Sequence, residues 1–320
     1  MPIESILSSW YPLACSRDLR KGQTLAIDLF DHRLVLFRTN NNTLGVLDRQ
    51  CPHMGGDLSR GTVSANGVLC PIHHWEFGID GRRIMPTQKN SVDHASVCQA
   101  AIPSVERWGL IFVFLGEKPY FELPESPASM FYTKPLVSEL DINYTIPSVF
   151  GFDSEHFKTV HHRDLAEMTI YTKQSGHIGM RLIASVGRSR WSDRLMHRFG
   201  VNEVETDIDY WAGNIVIGKH TKTKTLALIT SLPIDAHRSR VFFVSMQQKP
   251  SGSWIKQCLA WARFQLAKPL IRAFVLQDEK ALTGVRFNPD ESRHKPDNQI
   301  VDWLNHVKQL PSVSTSDIFR

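Results

Sequence analysis

No apolar run in this 320-residue chain approaches the ~18 residues that a membrane-crossing helix requires, so no transmembrane segment is expected. The chain opens Met1-Pro2-Ile3-Glu4, an acid where a secretory leader carries positive charge and with no apolar core behind it; a reducing cytoplasm is the expected setting. Lysine and arginine form no block, and a formal net charge of +5 gives nucleic-acid binding little support. Cysteine is scarce. Once the pair discussed below is set aside, Cys15, Cys98 and Cys258 are left, odd in number and widely spaced, which argues against a disulfide framework. No stretch reads as a flavin- or NAD-binding region. At 42% hydrophobic and 22% charged residues the chain is neither disordered nor repetitive, and its length suits two domains, each with its own core.

What is present begins with Cys51-Pro52-His53 and, after sixteen intervening residues, Cys70-Pro71-Ile72-His73. Each short segment offers one sulfur and one imidazole. Such a set could hold a tetrahedral zinc, although zinc fingers usually keep cysteine pairs apart from histidine pairs, whereas here each half mixes them. Around it the chain reads as strands over 24–30, 33–38 and 44–48, with Asn66-Gly67 and Asp80-Gly81 as hairpin turns that bring the ligand tips together. The run Gly109–Leu115 reads as a buried strand closing this all-β module. Pro119, Pro124, Pro127 and Pro135 then mark a linker, which sets the division at 1–120 and 121–320.

The second part reads as a helix over 152–165, strands over 180–186, 206–217, 225–232 and 241–246, then a long helix from Ser253 to about Thr283 that Pro269 should kink or split. In that helix Ile255, Leu259, Ala262, Leu266 and Leu270 fall near one face. The fold class is therefore α+β: an all-β module followed by an antiparallel sheet with a helix lying across it over a cavity. Within 152–165, His156 and His161 are spaced by five, about 140° apart on a regular helix, so both reach one metal only through a π-bulge or a helix end at His161. With a distant carboxylate, two imidazoles make the facial triad of a non-haem Fe(II) site.

Together these segments resemble the Rieske non-haem iron oxygenases of the α-only, ring-hydroxylating type. The Cys51, His53, Cys70, His73 set is similar to the ligand motif of a Rieske [2Fe–2S] cluster, with both sulfurs on one iron and both imidazoles on the other. Asp153, His156 and His161 match the family's Asp-x₂-His-x₄-His. The resemblance implies that His156 and His161 bind a mononuclear Fe(II), with Asp278 in Gln277-Asp278-Glu279 as third ligand and Glu279 as its competitor. It also implies that Asp153 bridges His73 of a neighbouring subunit to His156 in a homotrimer. A terminal oxygenase follows, taking NAD(P)H-derived electrons from a separate reductase or ferredoxin. It would use O₂ to hydroxylate or oxidatively demethylate a small apolar or aromatic substrate, with monooxygenation expected over dioxygenation. The rival is a Rieske electron-transfer protein without oxygenase activity.

Two departures stand out. The family usually has Gly-Trp after the second Rieske histidine, and this chain has His74-Trp75; many members place Asn three residues before the bridging Asp, and this chain has Phe150. His177, His197, His220 and His237 lack ligand spacing and read as surface or packing residues. The segment Trp191–Phe199 reads as a solvated helix or loop beside the mouth of the site rather than a membrane contact. Trp211, Ile215, Ile217, Phe242 and Phe243 are candidates for lining the pocket or filling the sheet core.

Overall fold

The computed structural model describes residues 3–85, 97–125, 129–188, 191–198, 200–288 and 298–318. They form two compact units, Ile3–Pro119 with Ser312–Arg320, and Tyr120–Pro311. The division at 1–120 and 121–320 places the whole C-terminal stretch in the second unit, whereas Ser312–Ser314 pairs antiparallel with Ser5–Leu7 of the first.

The first unit is built from small antiparallel sheets. Thr24–Leu29, His32–Arg38 and Leu44–Asp48 form one, with the central strand supplying Leu34, Val35, Leu36 and Phe37, all fully buried. Leu110–Leu115 lies between Ser104–Arg107 and Ser9–Cys15, and its uninterrupted apolar run fits a strand covered on both faces. A four-stranded sheet, Thr62–Val63, Gly67–Leu69, Glu76–Gly78 and Arg83–Ile84, carries the turn at Asp80-Gly81, where Gly81 takes φ +77°. Val35, Phe37, Leu47, Leu58, Val68 and Phe77 make one core with both Cys51 and Cys70.

The second unit is an eight-stranded antiparallel sheet. Its strands run Met130–Tyr132, Ser239–Gln248, Thr225–Pro233, Ile215–His220, Glu203–Trp211, His177–Ser185 and Leu165–Tyr171, with Leu136–Leu140 also pairing with Ser239–Gln248. The helices are α1 (Ile146–Val149), α2 (Ser154–Thr159), α3 (Trp191–Arg198), α4 (Trp254–Leu282) and α5 (Asn298–Val307). A core of Ile142, Phe152, Ile178, Met180, Tyr210 and Trp303, among others, joins sheet to helices.

Three expectations change. The helix expected over 152–165 is only six residues of α-helix, because the chain leaves it at Val160. The single strand expected over 206–217 is a hairpin, its turn at Ala212-Gly213 taking φ +43° and +76°. The helix α4 runs unbroken through Pro269; on it the face of Ile255, Leu259 and Leu266 is exposed while Phe264, on the other side, is buried. Leu270's side chain and Pro127 lie outside the described residues.

Candidate metal centres

The two cysteine loops share one backbone design. In the first, Gly55 N–H donates to the Cys51 carbonyl (2.8 Å) and Cys51 N–H to the Gly56 carbonyl (2.8 Å). In the second, His74 N–H donates to the Cys70 carbonyl (3.0 Å) and Cys70 N–H to the Trp75 carbonyl (2.8 Å). The fourth residue after each cysteine is therefore forced into the left-handed region: Gly55 at φ +71°, His74 at φ +56°. Glycine takes that conformation without strain, whereas a histidine there pays a steric cost of about 1 kcal/mol. Position 74 is thus where a glycine is expected on physical grounds.

The loops face each other closely. A Cβ on Gly56 would sit 2.7 Å from Cys70 Sγ, so this close approach admits only glycine. Both thiols are buried, while His53 and His73 are exposed with ring centroids 4.6 Å apart. Burial pushes the Cys51 thiol up and the adjacent Cys70 sulfur adds to this, while the backbone N–H groups of His53 and Met54 pull the other way. Two sulfurs grouped on the inside and two imidazoles grouped at the rim match what a [2Fe–2S] cluster needs, one iron with sulfur ligands and one with nitrogen ligands. They do not make the mixed tetrahedral shell of a zinc finger. The His53 ring is stacked on Trp75 (4.0 Å, 7°), and the Arg83 guanidinium lies over the indole's other side, 3.8 Å from its centroid. This three-layer stack fixes the plane of His53. Arg83 carries no sequence signal for that role.

In the second unit, Asp153 caps α2, its Oδ1 accepting from the N–H groups of Glu155 (3.0 Å) and His156 (3.1 Å). Val160 N–H still reaches the His156 carbonyl, but His162 takes φ +53° and Arg163 N–H bonds back to the Phe157 carbonyl (3.0 Å). His161 therefore lies just past a helix end, the second of the two routes by which an i,i+5 pair can converge. From α4, Asp278 Oδ1 meets His156 Nε2 at 3.0 Å and His161 Nε2 at 2.9 Å, and one ligand atom from each residue lies within 4.8 Å of the others. Both imidazoles are buried (8% and 3% exposed) and their rings are 5.0 Å apart. Burial alone would raise the Asp278 pKa; hydrogen bonds from His156 and His161 outweigh it and hold the carboxyl below its ordinary value. Two imidazoles and one carboxylate converging from one side suit a non-haem Fe(II) with open positions. Among the described residues Glu279 and His162 stay outside this cluster.

The cluster borders a cavity of about 750 Å³ lined mainly by apolar side chains, Leu140, Phe150, Val216, Phe243, Ile271 and Leu282 among them. Phe150 presents its edge to the His156 ring (5.9 Å), an apolar neighbour where many relatives by motif carry an amide. Tyr210 is buried beside it, and its hydroxyl leaves no room for a side chain on Gly151. Of the five lining candidates only Phe243 reaches the cavity. Trp211, Ile215, Ile217 and Phe242 point to the other side of their strands, where they are buried, while their neighbours Tyr210, Val216 and Val241 line it. Met196 of α3 also lines it. His177, wholly buried, is bonded to Asp209 (2.8 Å); His197 of α3 is bonded to Asn202 and to the Val186 and Gly187 carbonyls, and His220 to Thr223.

Residues 9–102 match the Rieske [2Fe-2S] domain family. The oxygenase component of 3-ketosteroid-9-alpha-monooxygenase from Mycobacterium tuberculosis is 26% identical over 264 residues, 76% of this chain and 66% of that protein. The oxygenase subunit of tert-butanol monooxygenase / tert-amyl alcohol desaturase from Aquincola tertiaricarbonis is 35% identical over 128 residues, 39% of this chain and 27% of that one. This chain thus spans less than two thirds of the length of these curated relatives. Dicamba monooxygenase bound to dicamba superposes with a TM-score of 0.61 at 17% identity, covering 97% of this chain and 98% of that one. NdmA from Pseudomonas putida CBB5 superposes with a TM-score of 0.62 at 17% identity, covering 93% and 88%. At such identities these likenesses establish a common fold.

Proposed function

We propose that this chain, which carries a Rieske domain and is related to Rieske-type oxygenase components beyond it, acts as the terminal oxygenase of a multicomponent system. A [2Fe–2S] cluster would be held by Cys51, His53, Cys70 and His73 and a mononuclear Fe(II) by His156, His161 and Asp278; when bound, these centres supply single electrons and O₂ activation. A separate reductase or ferredoxin delivers NAD(P)H-derived electrons to the first unit. The chain's own residues do the rest. The exposed rings of His53 and His73 put the imidazole side of the first site within reach of a partner. Asp278, kept ionised, supplies the negative charge that a dication needs, and His156 and His161 present Nε2 toward the same point. Phe150, Val216, Phe243 and their neighbours exclude water and hold an apolar organic substrate against that point.

The observation that carries this reading over an electron-transfer protein is the convergence of His156, His161 and Asp278 on the wall of a large apolar cavity. An electron carrier has no use for either. The relatives named as monooxygenases favour insertion of one oxygen atom, by hydroxylation or oxidative demethylation. The homotrimer, with Asp153 joining His73 of a neighbouring copy to His156, belongs to the same proposal, as does a reducing cytoplasm. Cys15, Cys98 and Cys258, none of them in a disulfide, support the latter.

The test is metal and isotope analysis of purified protein. The native chain should bind one iron beyond its cluster and move label from ¹⁸O₂ into product across a panel of apolar substrates. Asp278→Ala should lose about one iron per chain while the reduced-cluster EPR signal persists. Native protein with cluster iron alone and no label uptake would leave only the electron carrier.

A further inference from the structure

The first four turns of α4 pack on the rest of their unit chiefly through Phe264, which is 2% exposed. Their other side is apolar too. Ile255, Leu259, Ala262 and Leu266 recur at spacings of four, three and four, which puts them on one stripe facing away from Phe264. Ile255 is 53% exposed, Leu259 55% and Leu266 76%, with Trp254 (72%) and Trp261 (51%) beside them. These are five of the eleven large exposed hydrophobic side chains among the described residues, gathered on thirteen consecutive positions. A patch so concentrated marks a contact surface rather than ordinary scatter.

Charge identifies the occupant. From Trp254 to Gln277 there are four cations, Lys256, Arg263, Lys268 and Arg272, and no acid. None of the four has an ion-pair partner among the described residues. Lys256 and Arg263 flank the stripe on one side, with Arg272 and the tryptophans towards the other. A second copy of the helix would set cations against cations with no carboxylate to relieve them, which is unfavourable. The helix cannot cross a bilayer either, since no described helix is long and apolar enough. An apolar stripe bordered by cations and flanked by tryptophan is instead the pattern of a helix lying in the plane of a membrane interface.

We propose that this half of α4 docks on an anionic lipid bilayer, its stripe entering the acyl boundary and its cations meeting lipid phosphates. Further along the same helix Ala267, Ile271 and Val275 line the cavity before Asp278 is reached. The docked helix is thus also a wall of the cavity, positioned to take an apolar compound from the bilayer. That consequence rests on the proposed oxygenase function; membrane docking does not, and the test needs no turnover.

The test is flotation of the full, cluster-loaded chain with phosphatidylcholine vesicles and with mixed phosphatidylcholine–phosphatidylglycerol vesicles. The native chain should float with the anionic vesicles and be released by salt. Leu259→Glu with Leu266→Glu should lower the partition coefficient at least tenfold. Lys256→Gln and Arg263→Gln should each lower it about fivefold. Unchanged far-UV circular dichroism and an unchanged melting transition of the full chain report that the second unit, which carries α4, is folded in each variant. Failure of the native chain to float, or equal flotation of all variants, would overturn docking. So would a drop in oligomeric mass by light scattering in the Leu259→Glu, Leu266→Glu variant, because the stripe would then be covered by another copy.

Discussion

His74 and Gly55 occupy equivalent places in the two cysteine loops, yet only Gly55 suits a positive φ without cost. Replacing His74 with glycine removes the Cβ clash of about 1 kcal/mol but gives back part of it as unfolded-chain entropy, so the variant should be as stable or slightly more stable. His74→Val, β-branched in the left-handed region, should be about 1–2 kcal/mol less stable. Thermal melts followed by the visible circular dichroism of the cluster compare the three. At Asp153 the structure shows a helix cap, and the proposed bridging role is a separate matter. Asp153→Asn keeps the capping oxygen and removes the charge, whereas Asp153→Ala loses both, at about 1 kcal/mol of stability. If the carboxylate also carries the electron route, both variants should keep their iron and both should oxidise substrate far more slowly. Turnover per iron in Asp153→Asn is the decisive measurement, and native-like turnover would reduce Asp153 to a cap.

Three adjacent strands of the second unit are tied by a polar cluster. Tyr171 pairs with Gly179, and Gly179 with Asp209, in register across the sheet. A side chain on Gly179 would collide with the Tyr171 ring at 2.6 Å, so its absence lets Tyr171 reach across to Asp209 (3.0 Å). Lys173 N–H donates to His177 Nδ1, which leaves Nε2–H to donate to Asp209. Burial would raise the Asp209 pKa, but hydrogen bonds from His177 and Lys173 pull it down to about 2. Its folded value lies below the unfolded one, so its contribution is full above about pH 4 and is lost as pH falls towards 2. With a quarter of the side chain exposed, that contribution is about 1–2 kcal/mol. Denaturant melts of native protein and Asp209→Asn should differ by this amount near neutrality and converge only below about pH 2. A gap independent of pH would assign the loss to packing.

At the scale of the whole chain, the C-terminal segment completes the first unit. Ser312–Ser314 pairs with Ser5–Leu7, Thr315 bonds to Ile3 and to His32, and Ile318 is buried. Ending the chain at Pro311 removes one buried isoleucine and a strand pairing, about 2–3 kcal/mol in all. Loss of the cluster's visible signal should then occur several degrees lower than in the full chain. An unchanged transition would mean that the segment merely rests on the unit.

What the sequence determined by itself was local. The cysteine–histidine loops, the turn at Asp80-Gly81, the strands around Leu34–Phe37 and Leu110–Leu115, and the pair His156 and His161 all rest on relations within a few residues, where spacing and turn chemistry dictate geometry. Asp278, 122 residues from His156, was legible only through the resemblance, since no short-range pattern links a carboxylate to imidazoles so distant in the chain. Tertiary structure alone decided the rest. α4 is apolar on two sides, so periodicity could not say which would be buried; packing chose Phe264 and left Ile255, Leu259 and Leu266 outside. Whether Val216 or Ile217 faces the cavity depends on which side of the sheet the helices cover, and the return of Ser312–Ser314 to the first strand depends on an edge that forms only once the fold exists. Local sequence sets the conformations a segment can adopt; burial against distant partners selects the face and the neighbour.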